Sequence, residues 1–368
     1  MSTYRAQARA LLGDGLPAAL SPLTAIDEAH AAGGTPRDRL ARLRHAASAV
    51  RERLLGGPRV RFYRSFELVR FPYPSRYGLR DALSLPYPYL ALANRVFIVQ
   101  VDSTDGLKTI LVSPSDPVRN AETPFFKGLV EQFGRAGPIR NLAQRALATR
   151  TTDVLACLER CTIPPSQVDY LTYDHLHTQD LRGWIGPSGV FPRARLLVMR
   201  AEWESVHGLV APQDPWYCPQ GVAGIDPARV VCLESSVAVG AGMALIHTPG
   251  HTEGNHSIVC HTPEGLLVTS ENGICADAYA PEHSTIPGLK RYARGGMDLV
   301  LNGNTLERGL DQYLSMQVEK TLAGPSARDP RFPNIACSSE MAPAWFAPTL
   351  RPTFALGDLS FGTPVGAA

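Results

Sequence analysis

Tyr173-Asp-His-Leu-His-Thr-Gln-Asp180 follows directly on the apolar run Val168-Asp-Tyr-Leu-Thr-Tyr173, which reads as a short strand. Strand ends are where sheet proteins present reactive groups, because the backbone is held and the side chains face a cleft. In an extended segment, residues i and i+2 point to the same side. His175 and His177 can therefore reach one cation together, and neutral imidazole is a common ligand for zinc, iron and related ions. An HxH alone is weak evidence, since incidental histidines produce it too. The context upstream is ordered: Thr151-Thr-Asp153 caps a helix with Val154, Leu155, Leu158 and Cys161 on one side, and Ile163-Pro-Pro165 ends it.

A second element strengthens the metal reading. Ile246-His-Thr-Pro-Gly-His-Thr-Glu-Gly-Asn-His-Ser257 places three of the chain's ten histidines within ten residues. One strand ends at His247, Pro249-Gly250 makes a tight turn, and His251 is presented at the rim before a new strand starts near His256. His256 itself reads as a strand residue. His30, His45, His207 and His261 read as surface or structural residues.

Working outward, Arg95–Val101 and Thr109–Ser113 read as strands joined by the turn Ser103–Gly106, an antiparallel hairpin. Further strands are expected at 228–233, 243–247, 256–260 and 265–269, and one or two within 59–71. The proline- and tyrosine-rich segment 72–90 reads as a surface loop or a cleft lining. Thr35-Pro36 starts a helix that Gly56-Gly57-Pro58 stops. A last helix is expected from Asn304, with Glu307 completing a capping box and Leu306, Leu310, Leu314, Val318 and Leu322 facing the core. Hairpins mixed with helical crossovers predict α/β layers. The chain divides into an N-terminal extension (1–84), a main domain (85–345) and a C-terminal tail (346–368).

Composition narrows the class. The chain has 368 residues, 44% hydrophobic and 19% charged, enough for one large catalytic domain with extensions. A net charge of +2 asks for neither nucleic acid nor a membrane surface. The seven cysteines form no CxxC pair and read as reduced thiols. The N-terminus lacks a secretory signal and no stretch is apolar enough to span a bilayer. A cytoplasmic protein acting on a small molecule is expected, with a second copy of the chain as a candidate partner.

The order helix, Ile-Pro-Pro turn, strand, HxH and later Thr-Pro-Gly-His resembles the metallo-β-lactamase superfamily over roughly residues 90–345. The resemblance implies an αββα sandwich and implies His175, His177 and His251 as one metal site. Three departures stand out. Gln179-Asp180 replaces the family's Asp-His, Glu271 stands where an Asp ligand is expected, and Ser339 stands in place of a late histidine. Two outcomes follow. One ion is held by His175, His177, His251 and Glu271, which is the favoured reading. Alternatively, Asp180, Glu271 and Glu340 rebuild an oxygen-rich second site, which suits iron or manganese better than zinc. Asp180 is the candidate general base. Zinc is the expected ion and hydrolysis the expected chemistry, with a metal-bound hydroxide attacking an ester, lactone, thioester or amide. A mononuclear iron oxygenase and a non-catalytic binding member are the alternatives.

Overall fold

The strand Tyr89–Ser103 shows how the sequence builds the core. Leu90 to Val101 are all buried. Leu92, Val96 and Ile98 face one cluster, while Phe97, Val99 and Val101 face another. Period-two alternation with both faces apolar is the mark of a strand covered on both sides.

The computed structural model describes residues 16–134, 149–303 and 309–366. Its strands are β1 (Leu20–Pro22), β2 (Phe62–Pro74), β3 (Tyr89–Ser103), β4 (Gly106–Val112), β5 (Thr149–Arg150), β6 (Val168–Thr172) and β7 (Arg195–Met199). They continue with β8 (Val230–Leu233), β9 (Val237–Val239), β10 (Met243–His247), β11 (His256–Thr262), β12 (Gly265–Thr269), β13 (Ser339–Ala342) and β14 (Ser360–Gly362). The large sheet runs β14-β2-β3-β4-β6-β7-β8, with β13 on β3 and β5 on β2. The small sheet runs β1-β9-β10-β11-β12 and is antiparallel throughout.

The two sheets enclose a shared core of Phe97, Val99, Ile110, Leu197, Val231, Met243, Leu245, Ile258 and Leu267. Helices cover the outer faces. We label α1 (Ala25–Ala31), α2 (Pro36–Leu55), α3 (Pro124–Gly134), α4 (Val154–Arg160), α5 (Arg200–Ser205) and α6 (Gly309–Ala323). α2 and α6 pack on each other and on β12, while α5 packs on β7 and β8. This is the αββα sandwich expected from the sequence. Among the described residues, no helix is long and apolar enough to cross a membrane.

Several local expectations change. Residues 59–71 give one long strand, and Pro72-Tyr73-Pro74 continue it opposite Ala91, Leu90 and Tyr89. The loop is therefore shorter than expected. Among the described residues, no strand pairs with the other side of β2 beyond Arg70, a position where prolines are tolerated. β7 and β9 are additional strands. Leu310 is exposed rather than core-facing, whereas Leu314, Val318 and Leu322 are buried. The expected cap at Asn304 and Glu307, and Leu306, lie outside the described residues. The chain's end is bound in: β14 pairs with β2, and Val365 N donates to Gln100 Oε1 at 2.8 Å.

Candidate metal centre

Both halves of the site lie where strands end. β6 stops at Thr172, and its last side chain accepts or donates a 2.9 Å bond with His256 Nε2. The backbone then carries Asp174, His175 and His177 over the small sheet's rim, where Asp174 O accepts from His256 N at 2.9 Å. β10 stops at His247, and the turn that follows is closed by Thr248 N donating to Asn255 O. His251 N in that turn donates to Asn272 Oδ1 at 2.9 Å. One sheet thus supplies His175 and His177 and the other supplies His251.

The three rings converge with centroids 4.5 to 5.0 Å apart. Their ligand atoms lie within 4.8 Å of one another, as do those of Asp174, His175 and Glu271. His175 Nδ1 lies 3.1 Å from Asp174 Oδ1, and a carboxylate only accepts, so the proton sits on Nδ1 and Nε2 carries the lone pair. By the same argument His251 Nδ1 donates to the Asn302 carbonyl at 3.2 Å, leaving Nε2. His251 Nε2 is 3.3 Å from His177 Nδ1. Ligands about 2.0–2.1 Å from a tetrahedral zinc are roughly 3.3–3.4 Å apart, so the donor set fits one such ion.

The surrounding charge points the same way. Burial presses His175 toward neutrality, but Asp174, with Glu271 and Glu202 behind it, raises its pKa to about 9. The field at that ring favours positive charge. Burial and the neighbouring imidazoles push His177 well down and His251 down to about 3, so both stand as neutral donors. Burial raises Glu271 to about 7, against the pull of His175. Ser338 Oγ lies 2.6 Å from Asp174 Oδ2 and 3.2 Å from Glu271 Oε2, tying the two carboxyl groups together.

The other expected ligands are placed differently. Asp180 belongs to neither group of ligand atoms. Its carboxylate accepts from Arg182 N at 2.9 Å and pairs with the Arg182 guanidinium at 2.5 Å. This carboxylate thus holds the residue that opens the turn Arg182–Ile185, and lies outside the histidine group where a base or ligand was expected. Glu340 is likewise taken up by Arg95 at 3.2 Å. Gln179 Oε1 accepts from Ser115 and Asn120 at 3.0 and 3.1 Å. Asp180→Asn is expected to lower stability by about 1–2 kcal/mol and to leave bound metal unchanged. Urea unfolding and elemental analysis check this, and a loss of metal would restore Asp180 to the centre.

Sequence reading missed Glu202 on α5. Its Oε1 accepts from Leu176 N at 2.7 Å and Tyr217 Oη at 3.2 Å, and its Oε2 accepts from Thr252 Oγ1 at 2.6 Å. Leu176 lies between the paired histidines and Thr252 follows His251, so one buried carboxylate grips both loops. Gly254 makes this approach feasible, since a Cβ there would lie 2.1 Å from Glu202 N. Gly254→Ala is expected to cost about 3 kcal/mol through overpacking, read from the urea midpoint.

A space of about 30 Å³ opens on the cluster, bounded by His175, His177, Glu271, Phe71, Phe125 and Trp216. It communicates with a larger apolar cavity of about 200 Å³.

No family profile matches the chain. An N-acyl homoserine lactonase from Bacillus sp is 27% identical over 173 residues, 44% of this chain. The match spans 65% of that relative's length. Among solved structures, a probable metal-dependent hydrolase from Staphylococcus aureus is similar at TM-score 0.48 and 11% identity, over 72% of this chain and 83% of its own. AidC, a dizinc quorum-quenching lactonase, is similar at TM-score 0.44 and 13% identity, over 82% and 92%. A quorum-quenching N-acyl homoserine lactone lactonase is similar at TM-score 0.44 and 16% identity, over 66% and 91%. In its two-sheet fold and clustered histidines the chain resembles the metallo-β-lactamase superfamily of hydrolases, and in sequence it resembles a lactonase.

Proposed function

We propose that this protein is a metal-dependent hydrolase of small lactones or esters, using one ion held by His175 Nε2, His177 Nδ1 and His251 Nε2. The observation that carries the reading is the aim of these nitrogens, set by the Asp174 carboxylate and the Asn302 carbonyl. Three imidazoles with a carboxylate nearby suit zinc, with Glu271 as the fourth protein ligand or as a proton acceptor beside it. An ion there supplies a water of lowered pKa and polarises the substrate carbonyl.

The chain's own residues do the remaining work. Asp174 keeps the His175 proton on Nδ1, and outer partners of this kind orient ligands and sustain their basicity. Phe71, Phe125 and Trp216 wall the space and limit water. A single ion is favoured because Gln179, Asp180 and Glu340 are committed to Ser115 and Asn120, to Arg182 and to Arg95. The relatives named above are lactonases and hydrolases, which lends nothing to the iron oxygenase alternative. All seven cysteines are unpaired, which suits a reducing compartment such as the cytoplasm.

The test is elemental analysis of protein purified without added metal, beside a panel of γ-lactones and phenyl esters with and without chelator. About one equivalent of zinc and chelator-sensitive turnover are expected. A chain that stays metal-free after reconstitution overturns the reading.

A further inference from the structure

We propose that Gln312 and Glu319, on the inner side of α6, are positioning residues for His251: they hold the turn and the two asparagines that aim its ring at the other histidines. This rests on the metal-centre reading above and adds to it the groups that keep the third nitrogen in place. Gln312, Ser315 and Glu319 stand at i, i+3 and i+7, so they share one side of the helix. All three are buried, Ser315 and Glu319 completely. The inward side of a helix is ordinarily apolar, and buried polar groups need partners. The partners of this polar stripe begin with the His251 turn itself. Ser315 Oγ donates to Pro249 O at 2.7 Å, two residues before His251. Gly250 lies so close against the helix that a Cβ there would stand 2.2 Å from Gln312 Cα.

His251 is held at two atoms, and α6 secures the partner of each. Its backbone N donates to Asn272 Oδ1, and its ring Nδ1 donates to Asn302 O. Gln312 Nε2 carries two protons, one for Asn302 O at 2.8 Å and one for Asn272 O at 2.9 Å. A single side-chain amide thus fixes the spacing of the two asparagines. Glu319 fixes the Asn272 side chain. Asn272 Nδ2 donates to Glu319 Oε1 at 2.7 Å and to Thr248 O at 3.1 Å. Two acceptors there assign the amide nitrogen to that side and leave Oδ1 for the His251 N–H. Glu319 is secured in turn by Ser257 Oγ at 2.8 Å and Tyr279 Oη at 2.6 Å, which donate one to each of its oxygens. With Glu319 truncated, the Asn272 amide can turn over and set its NH2 group against the His251 N–H. Ligand distances at a metal centre hold within about 0.2 Å, so a ring that drifts with its turn weakens the site.

Two measurements on the full chain test the assignment, one of them made without metal. In the metal-free protein, Gln312→Met and Glu319→Leu should each speed hydrogen exchange of the His251 amide by at least about tenfold, read by NMR. In chelator competition, both should weaken zinc binding about 10–100-fold. Glu319→Gln keeps an acceptor for Asn272 Nδ2, and the Tyr279 hydroxyl can turn to accept from the new amide, so this variant should return both readouts nearly to the wild-type level. Leu314→Val loosens buried apolar packing on the same helix and leaves all of these bonds in place, so it should change neither readout. Should Glu319→Leu fail to fold, Gln312→Met carries both measurements. Exchange and zinc affinity that stay unchanged in the polar variants, or change as much in Leu314→Val, overturn the positioning role and leave the metal centre standing. Exchange that responds as stated in a chain that takes up no zinc supports the positioning role and overturns the metal reading.

Discussion

His251→Ala is expected to leave the purified chain with little bound metal and to lower lactone turnover by at least about a thousandfold. Loss of an outer hydrogen-bonding partner typically costs 10–100-fold in metal affinity or activity, and loss of a ligand nitrogen costs more. The reason lies in the split origin of the donors. His175 and His177 come from the end of β6, whereas His251 comes from the turn after β10. Without His251 the remaining pair still sits beside Asp174 and Glu271, but the small sheet no longer contributes a nitrogen. The fold should survive, because His251 N can keep its bond to Asn272 after truncation. Elemental analysis, circular dichroism and lactone kinetics on one preparation separate the effects. A variant that retains its metal would show that His251 is not a ligand.

The second large effect is expected at Glu202. Glu202→Leu leaves the Leu176 amide and the Tyr217 and Thr252 hydroxyls without their common acceptor. Buried donors stranded in this way cost about 1–3 kcal/mol each. A stability loss of about 3–5 kcal/mol is expected, together with a 10–100-fold fall in metal affinity. Glu202→Gln keeps one acceptor oxygen, and the Thr252 hydroxyl can rotate to accept from the new amide. It should recover most of the stability but not all of the affinity, because the charge that supports a cation near His175 is gone. Chelator competition reads the affinity and urea unfolding the stability. Unchanged affinity in both variants would reduce Glu202 to a packing residue.

The histidine cluster was legible in the sequence because its signals are local. HxH fixes a shared side of an extended segment, and Thr-Pro-Gly-His describes its own turn. The layers were legible for the same reason, since β3 and β4 announce a hairpin. The ion pair of Asp180 was not legible, because its partner, Arg182, looks like any surface arginine two residues on. Glu202 gave no signal, since a glutamate in Arg-Ala-Glu-Trp reads as a solvated helix position. Its three partners come from Leu176, Tyr217 and Thr252, and tertiary folding alone assembles them. β14 was invisible for a related reason: three residues with no periodicity become a strand because β2 has an open side there.

The origin of the histidines in two different sheets bears on folding as well as on chemistry. An ion bound by all three acts as a rivet across the seam between the sheets. Loading is then linked to global stability: at a free ion concentration 1,000 times the dissociation constant, the native state gains about 4 kcal/mol. That is a large share of the 5–15 kcal/mol that holds a typical domain folded. Metal supply would therefore govern how much of this protein persists as well as how fast it works.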